Sequence, residues 1–455
     1  MRVWFLLQLI TAGTPSSRDA STGQGKLGTL RFQVDGKEVE VSDDGASLLE
    51  ILRDKLGIRS PKDGCSPQGQ CGCCTVLVDG QPRVSCVTAG RRVHGRSVTT
   101  LDGLEPSVRD EWAQAFTRSG ASQCGFCTPG LIVRLAAQLE RRGELDDEAI
   151  SNALAAHLCR CTGWRPIFDA AHFVSDTART SDASRARASG ASRARASDAS
   201  RTRTSDASRE SSSEPDAKKR SARVGSRTSD QFHAAEQRAL IEGGSHQSVG
   251  KLVALGLGGF ADDYYPENAL VAVPHAKGGW AVGETLHEAR LRSRKVQGRN
   301  SSAPLRYPVD VPPGAWDLRL QTTFVEPAYL ELDASWCIPG GEPRTPLANG
   351  GAFGAKLDSA AVVAARDLAD EHGRAVRVVL SREDCVRLGP KRPPVAIGVN
   401  EDGSGRARIG RTAGSASIAA AIEGLIAAAP GVEVEEVRVA GPPTSSTLRA
   451  TGWAE

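Results

Sequence analysis

Aromatic residues make up only 5% of the 455-residue chain and apolar residues only 40%. Both are lean for a uniformly globular protein, so some stretch contributes to no core. No run of 18 or more apolar residues occurs, which excludes a membrane-spanning helix. A dominant charge sign is missing too. The chain has 57 Lys and Arg against 54 Asp and Glu, a net charge of +3. That balance excludes a nucleic-acid footprint spread over the whole chain. The apolar stub from Val3 to Ile10 mimics a signal peptide, but it is brief and interrupted by Gln8. It also lacks the twin arginine used to export a folded, cofactor-loaded protein, so a cytoplasmic protein is expected.

The length allows about three domains. Residues 1–26 read as a disordered polar lead. From Asp182 to Ser213 an eight-residue unit repeats four times: DASRARAS, GASRARAS, DASRTRTS, DASRESSS. With no aromatic and no large aliphatic residue, ordering it would bury too little surface to offset chain entropy. Residues 176–230 are therefore expected to be a low-complexity linker, and the interspersed acids argue against an RNA-touching Arg–Ser tail.

Between lead and linker the pattern is globular. Asp35-Gly36 separates two alternating runs, a hairpin signal, and Asp79-Gly80 separates Thr75–Val78 from a strand placed at Val84–Val87. Ser47 and Glu50 form a capping box ahead of Leu48, Leu52 and Leu56. Residues 28–100 thus read as a small mixed domain. Residues 105–175 read as all-helical, with Thr128-Pro129 and Asp146-Asp147 at helix starts and Leu158 carried on the second of these helices. After residue 230, strand and helix signals alternate, as in α/β packing. The chain as a whole is expected to be α+β.

Nine of the 11 cysteines lie between Cys65 and Cys161, and clustering of this kind inside a long chain points to metal rather than disulfides. Cys65, Cys71, Cys74 and Cys86 follow C-x5-C-x2-C-x11-C, one residue longer in its first loop than the plant-type 2Fe–2S spacing. Glycines 64, 69 and 72 let that loop wrap a cluster with its N–H groups aimed at sulfur. Cys73 competes with Cys74 as a ligand. Cys124 and Cys127, with Cys159 and Cys161, form a second quartet as C-x2-C plus C-x-C. The glycine loop favours 2Fe–2S over structural zinc, which also takes four thiolates. Cys73, Cys337 and Cys385 read as small core residues.

Two quartets in this order, within CGCCTV, QCGFCTPG and CRCTGW, resemble the iron–sulfur subunit of the molybdenum hydroxylases, the xanthine dehydrogenase, aldehyde oxidase and carbon monoxide dehydrogenase family. The resemblance covers residues 28–175. It implies a plant-ferredoxin-like β-grasp domain (28–100) and a four-helix domain (105–175), each with one 2Fe–2S cluster. Cys65, Cys71, Cys74 and Cys86 would hold the outer cluster. Cys124, Cys127, Cys159 and Cys161 would hold the one nearer molybdenum. Gln123 matches a position that approaches the pterin. Departures are the lengthened first loop, Cys73 where alanine is usual and Trp164 where tyrosine is common.

Residues 231–455 resemble an incomplete molybdopterin-binding large subunit, through Phe260-Ala-Asp-Asp263, Glu326-Pro327, the cofactor loop with Gly351, Phe353 and Gly354, Ser381–Asp384 and Gly452–Glu455. The interval from Pro327 to Gly350 is short, and no catalytic glutamate or flavin domain can be recognised, so no catalytic residue is assigned. The resemblance implies an electron-transfer component relaying electrons between a molybdopterin centre, held by a partner chain, and a flavin or other acceptor. Its expected partners are a molybdenum-binding large subunit together with an FAD-binding subunit. A self-sufficient aldehyde or N-heterocycle hydroxylase and a zinc-binding or decayed remnant are the competing readings.

Overall fold

Asp35-Gly36 turns β1 (Thr29–Val34) into β2 (Lys37–Ser42), and Asp79-Gly80 turns β3 (Thr75–Val78) into β4 (Gln81–Val84), as the sequence predicts. The computed structural model describes residues 28–180, 250–295, 306–348, 351–413, 419–445 and 448. Expectations for residues 1–26, 181–230, Gly350 and 452–455 lie outside these. Residues 176–180, assigned above to the linker, continue a helix over 165–180.

With β5 (Ser97–Thr99) the first strands make one sheet, ordered β2-β1-β5-β3-β4, in which only β1 and β5 run parallel. Alternation puts Leu30, Phe32 and Val34 on its inner face, against α1 (Leu48–Glu50) and the π-helical turn Ile51–Lys55 that follows. The Ser47–Glu50 capping box forms. The strand placed at Val84–Val87 instead ends at Val84. The two-residue turn sets the register, and Ser85–Val87 coils into a 3₁₀ turn that buries Cys86 and leaves Val87 exposed.

The helical domain contains α2 (Pro106–Ser119), α3 (Thr128–Arg142), α4 (Asp147–Leu154) and the 165–180 helix. Cys127, rather than Thr128, is the N-cap of α3, and Pro129 occupies its first turn. Asp146 caps α4 by accepting from the Ala149 amide at 2.7 Å. That helix stops at Leu154, so Leu158 is on an exposed loop, because the chain must turn back to bring Cys159 and Cys161 under α3. Trp112, Phe116, Leu131, Leu135, Ile150 and Ile167 fill the core between the helices.

The C-terminal half forms two further sheets, β7-β6-β10-β9 and β13-β12-β11-β8. They comprise Leu270–Pro274 (β6), Trp280–Gly283 (β7), Leu318–Gln321 (β8), Ala334–Cys337 (β9), Val376–Val379 (β10), Val395–Val399 (β11), Gly405–Arg411 (β12) and Val432–Arg438 (β13). The helix Ala360–His372 packs its alanine face on the first of these sheets, where Cys337 and Cys385 are ordinary core residues. The described residues thus mix α and β content. No helix among the described residues is long and apolar enough to cross a membrane.

Candidate metal centre

The loop between α1 and β3 carries Cys65, Cys71, Cys73 and Cys74, and Cys86 returns to it from the 3₁₀ turn; all five are buried. Their sulfurs form a chain of contacts, Cys71 to Cys65, Cys65 to Cys86 and Cys86 to Cys74. Cys73 interacts with Cys71 and points its sulfur back toward the Cys71 carbonyl, 3.7 Å away. Hydrogen bonds from the Cys71 and Cys86 thiols, with the backbone amides of Gln70 and Gln68, hold the Cys65 thiol far below its ordinary value. The Gln68 amide lies 3.2 Å from that sulfur.

Cys127 ends the second loop at the N-terminus of α3, where the helix dipole favours anionic sulfur. Across from it, Cys159 follows α4. The Cys161 and Cys124 sulfurs are 3.6 Å apart, and Cys127 and Cys159 form the other touching pair. Two sulfurs of one tetrahedral metal, each about 2.3 Å from it, stand about 3.7 Å apart. The quartet is therefore spaced as two pairs. Among the described residues, no three His, Cys, Asp or Glu side chains converge on a single ion position. The Cys127 thiol, assisted by the hydroxyl and amide of Thr162, lowers Cys159 to about 6, while hydrogen bonding and burial push Cys124 and Cys127 up.

The two quartets are joined by His157. Its ring is buried against Gly72, with Nε2 3.2 Å from Thr75 Oγ1, and the next amide, that of Leu158, donates to the Cys71 carbonyl at 3.0 Å. Burial, and then Arg134, hold the imidazole down to about 4, so it is neutral at pH 7. Nothing in the cysteine spacing announces this histidine.

Of the residues expected at a pterin, Gln123 is exposed at the mouth of the second quartet's pocket, which Gly351 and Leu330 also line. Phe353 and Gly354 are outside it; Phe353 instead lies under the Arg160 guanidinium, 5.6 Å from the ring centre. The sequence also did not expose a buried ionic clamp. Arg53 donates to Asp262 at 2.8 Å and Asp263 at 3.1 Å, and Lys62 to Asp263 at 2.5 Å. Arg377 donates to Asp262 at 2.8 Å and to Asp54 at 3.1 Å. The one available signal was Asp262-Asp263 directly after an apolar pair.

Residues 32–96 match the family model described as a 2Fe-2S iron-sulfur cluster binding domain, and residues 100–172 match the [2Fe-2S] binding domain. Over 150 residues the chain is 37% identical to the small FeS subunit of nicotinate dehydrogenase from Eubacterium barkeri, covering 32% of this chain and 93% of that one. It is 44% identical over 126 residues to the xanthine dehydrogenase iron-sulfur-binding subunit of Escherichia coli, covering 27% and 78%. In fold it is similar to the aldehyde oxidoreductase of Desulfovibrio desulfuricans, with a TM-score of 0.53 at 18% identity, over 84% of this chain and about half (54%) of that one.

Proposed function

Since the chain belongs to the family of molybdenum-hydroxylase iron–sulfur subunits and is an electron-transfer component of that oxidoreductase type, we propose how its own residues divide the task. Residues 28–100 act as a plant-ferredoxin-like β-grasp domain and hold an outer 2Fe–2S cluster on Cys65, Cys71, Cys74 and Cys86. Residues 105–175 act as a four-helix domain and hold an inner cluster on Cys124, Cys127, Cys159 and Cys161. When bound, each cluster supplies a one-electron carrier whose potential is set by hydrogen bonds to sulfur and by solvent exposure. The chain's part is to supply those hydrogen bonds, from the amides of Gln68 and Gln70 and from Thr162, and to keep the outer cysteines buried and the inner ones buried or half-buried.

The observation that carries this reading is the pairing of thiols, with Cys124–Cys161 at 3.6 Å and Cys127–Cys159 as the second touching pair. Two metals with two thiolates each account for it, whereas a single zinc would draw all four together. In this reading electrons pass between a molybdopterin centre and a flavin or other acceptor, held by a molybdenum-binding large subunit together with an FAD-binding subunit. The chain is not catalytically complete by itself. Iron and sulfide analysis with EPR of the dithionite-reduced protein tests this: about four irons, four sulfides and two distinct signals per chain are expected. Stoichiometric zinc without a signal would sink it.

A further inference from the structure

The loop that would cradle a pterin packs directly on the inner quartet. A Cβ on Gly351 would stand 2.7 Å from Cys124 Cβ, 2.8 Å from its sulfur and 2.9 Å from Glu331 Oε2. These are distances at which no side chain fits, and far less room than a fused-ring cofactor needs. Leu330 closes the same pocket, and Arg160, between Cys159 and Cys161, donates to the Pro327 carbonyl at 3.0 Å. Farther out, Gly125 lies against Val253, and Phe126 meets Phe260 edge-on at 5.1 Å. The residues present therefore do not fit a molybdopterin beside Cys124.

We propose that the C-terminal half is a cover over the inner cluster, built into the chain, which occupies the face a separate molybdenum-binding subunit would need. A partner that reaches that face has to displace the cover. The contacts form one continuous surface from Gly351 to Phe260, and the clamp of Asp262 and Asp263 on Arg53 and Lys62 locks it to the first domain. Removing one partner of such a buried pair leaves the other charge uncompensated, so a change at Asp262 or Asp263 should loosen the cover. Glu331 gives the cover its own anchor, accepting from Lys356 at 3.0 Å beneath the Gly351 loop.

This inference rests on the two-cluster reading, and its test separates the two. The full-length, cluster-loaded chain is produced in a host that makes molybdopterin. It is assayed for pterin by fluorescence after oxidation, and for iron release to a water-soluble phenanthroline chelator. The expected result is no bound pterin and biphasic release, with the inner cluster's irons in the slow phase. Gly351→Phe, which forces the loop off Cys124, should speed the slow phase by about tenfold or more, the factor that about 1.4 kcal/mol of lost cover would produce. Asp262→Asn with Asp263→Asn, neither of them a proposed cluster ligand, should do the same while the outer EPR signal stays intact. Stoichiometric pterin in the wild-type chain overturns the cover, as does a slow phase that neither variant moves. A chain that never holds four irons instead refutes the two-cluster reading beneath it.

Discussion

His157 lies flat on Gly72. A Cβ on that glycine would stand 2.3 Å from His157 Cδ2, and Gly72 itself sits at φ +69°. One residue pair thus fixes the loop between Cys71 and Cys74 against the segment that leads into Cys159. The order of the two quartets in the sequence becomes a single packed unit at this contact.

Gly72→Ala should therefore disable the outer site. The added methyl meets both a left-handed backbone and an imidazole with nowhere to go, at a cost of about 1–3 kcal/mol for overpacking alone. Loss of the outer EPR signal, with the inner one retained, checks this. Adding His157→Ala removes the clash but not the backbone strain, so it should restore the signal in part. Full restoration would show that φ is irrelevant here.

Cys74 reaches Cys86, whereas Cys73 turns its sulfur toward the Cys71 carbonyl. Cys74→Ser is expected to abolish the outer signal. Cys73→Ala should leave both signals and the iron content unchanged. If the two results are reversed, the outer ligand set must be redrawn.

The clamp predicts a large stability effect from residues that are not themselves proposed ligands, with Lys62 also donating its amide to the Cys73 carbonyl at 3.1 Å. Asp263→Asn leaves Arg53 and Lys62, both buried, facing a neutral amide, which should cost about 3–5 kcal/mol. Urea unfolding followed by tryptophan fluorescence reads this directly. A midpoint within error of wild type would mean that the clamp is not formed in solution.

Asp262 adds a pH signature. Burial would raise its carboxyl, but the Arg377 and Arg53 guanidiniums outweigh burial and hold it below its ordinary value. A carboxylate depressed in the folded state contributes stability at all pH values above its unfolded value and loses it only as pH falls through the folded one. The stability gap between wild type and Asp262→Asn should thus stay flat from about pH 7 to about pH 5 and shrink only below about pH 4. Shrinkage already near neutrality would contradict the depressed carboxylate.

Much of the site was legible in the linear chain. Thiolate ligands must recur at short spacings if one loop is to wrap a cluster, so Cys65-Cys71-Cys74 and Cys124-Cys127 mark their loops without a structure. The Asp-Gly turns and the Ser47–Glu50 cap are equally local, because each depends on neighbours two or three residues away. Local rules also set the limits. The strand expected at Val84–Val87 gave way to a 3₁₀ turn, and α4 ended before Leu158, because in both places the chain bends to deliver a cysteine.

The sequence by itself determined the number and order of the cysteine motifs, and with them the family, since these follow from residue type and short spacing. Only the tertiary structure decided what covers them. His157 is 85 residues along the chain from Gly72, and Asp262 is 209 residues from Arg53. Gly351 meets Cys124 across a still longer stretch of chain. No periodicity links positions so far apart. Their pairing is set by which buried surfaces and charges can satisfy one another once the domains are folded.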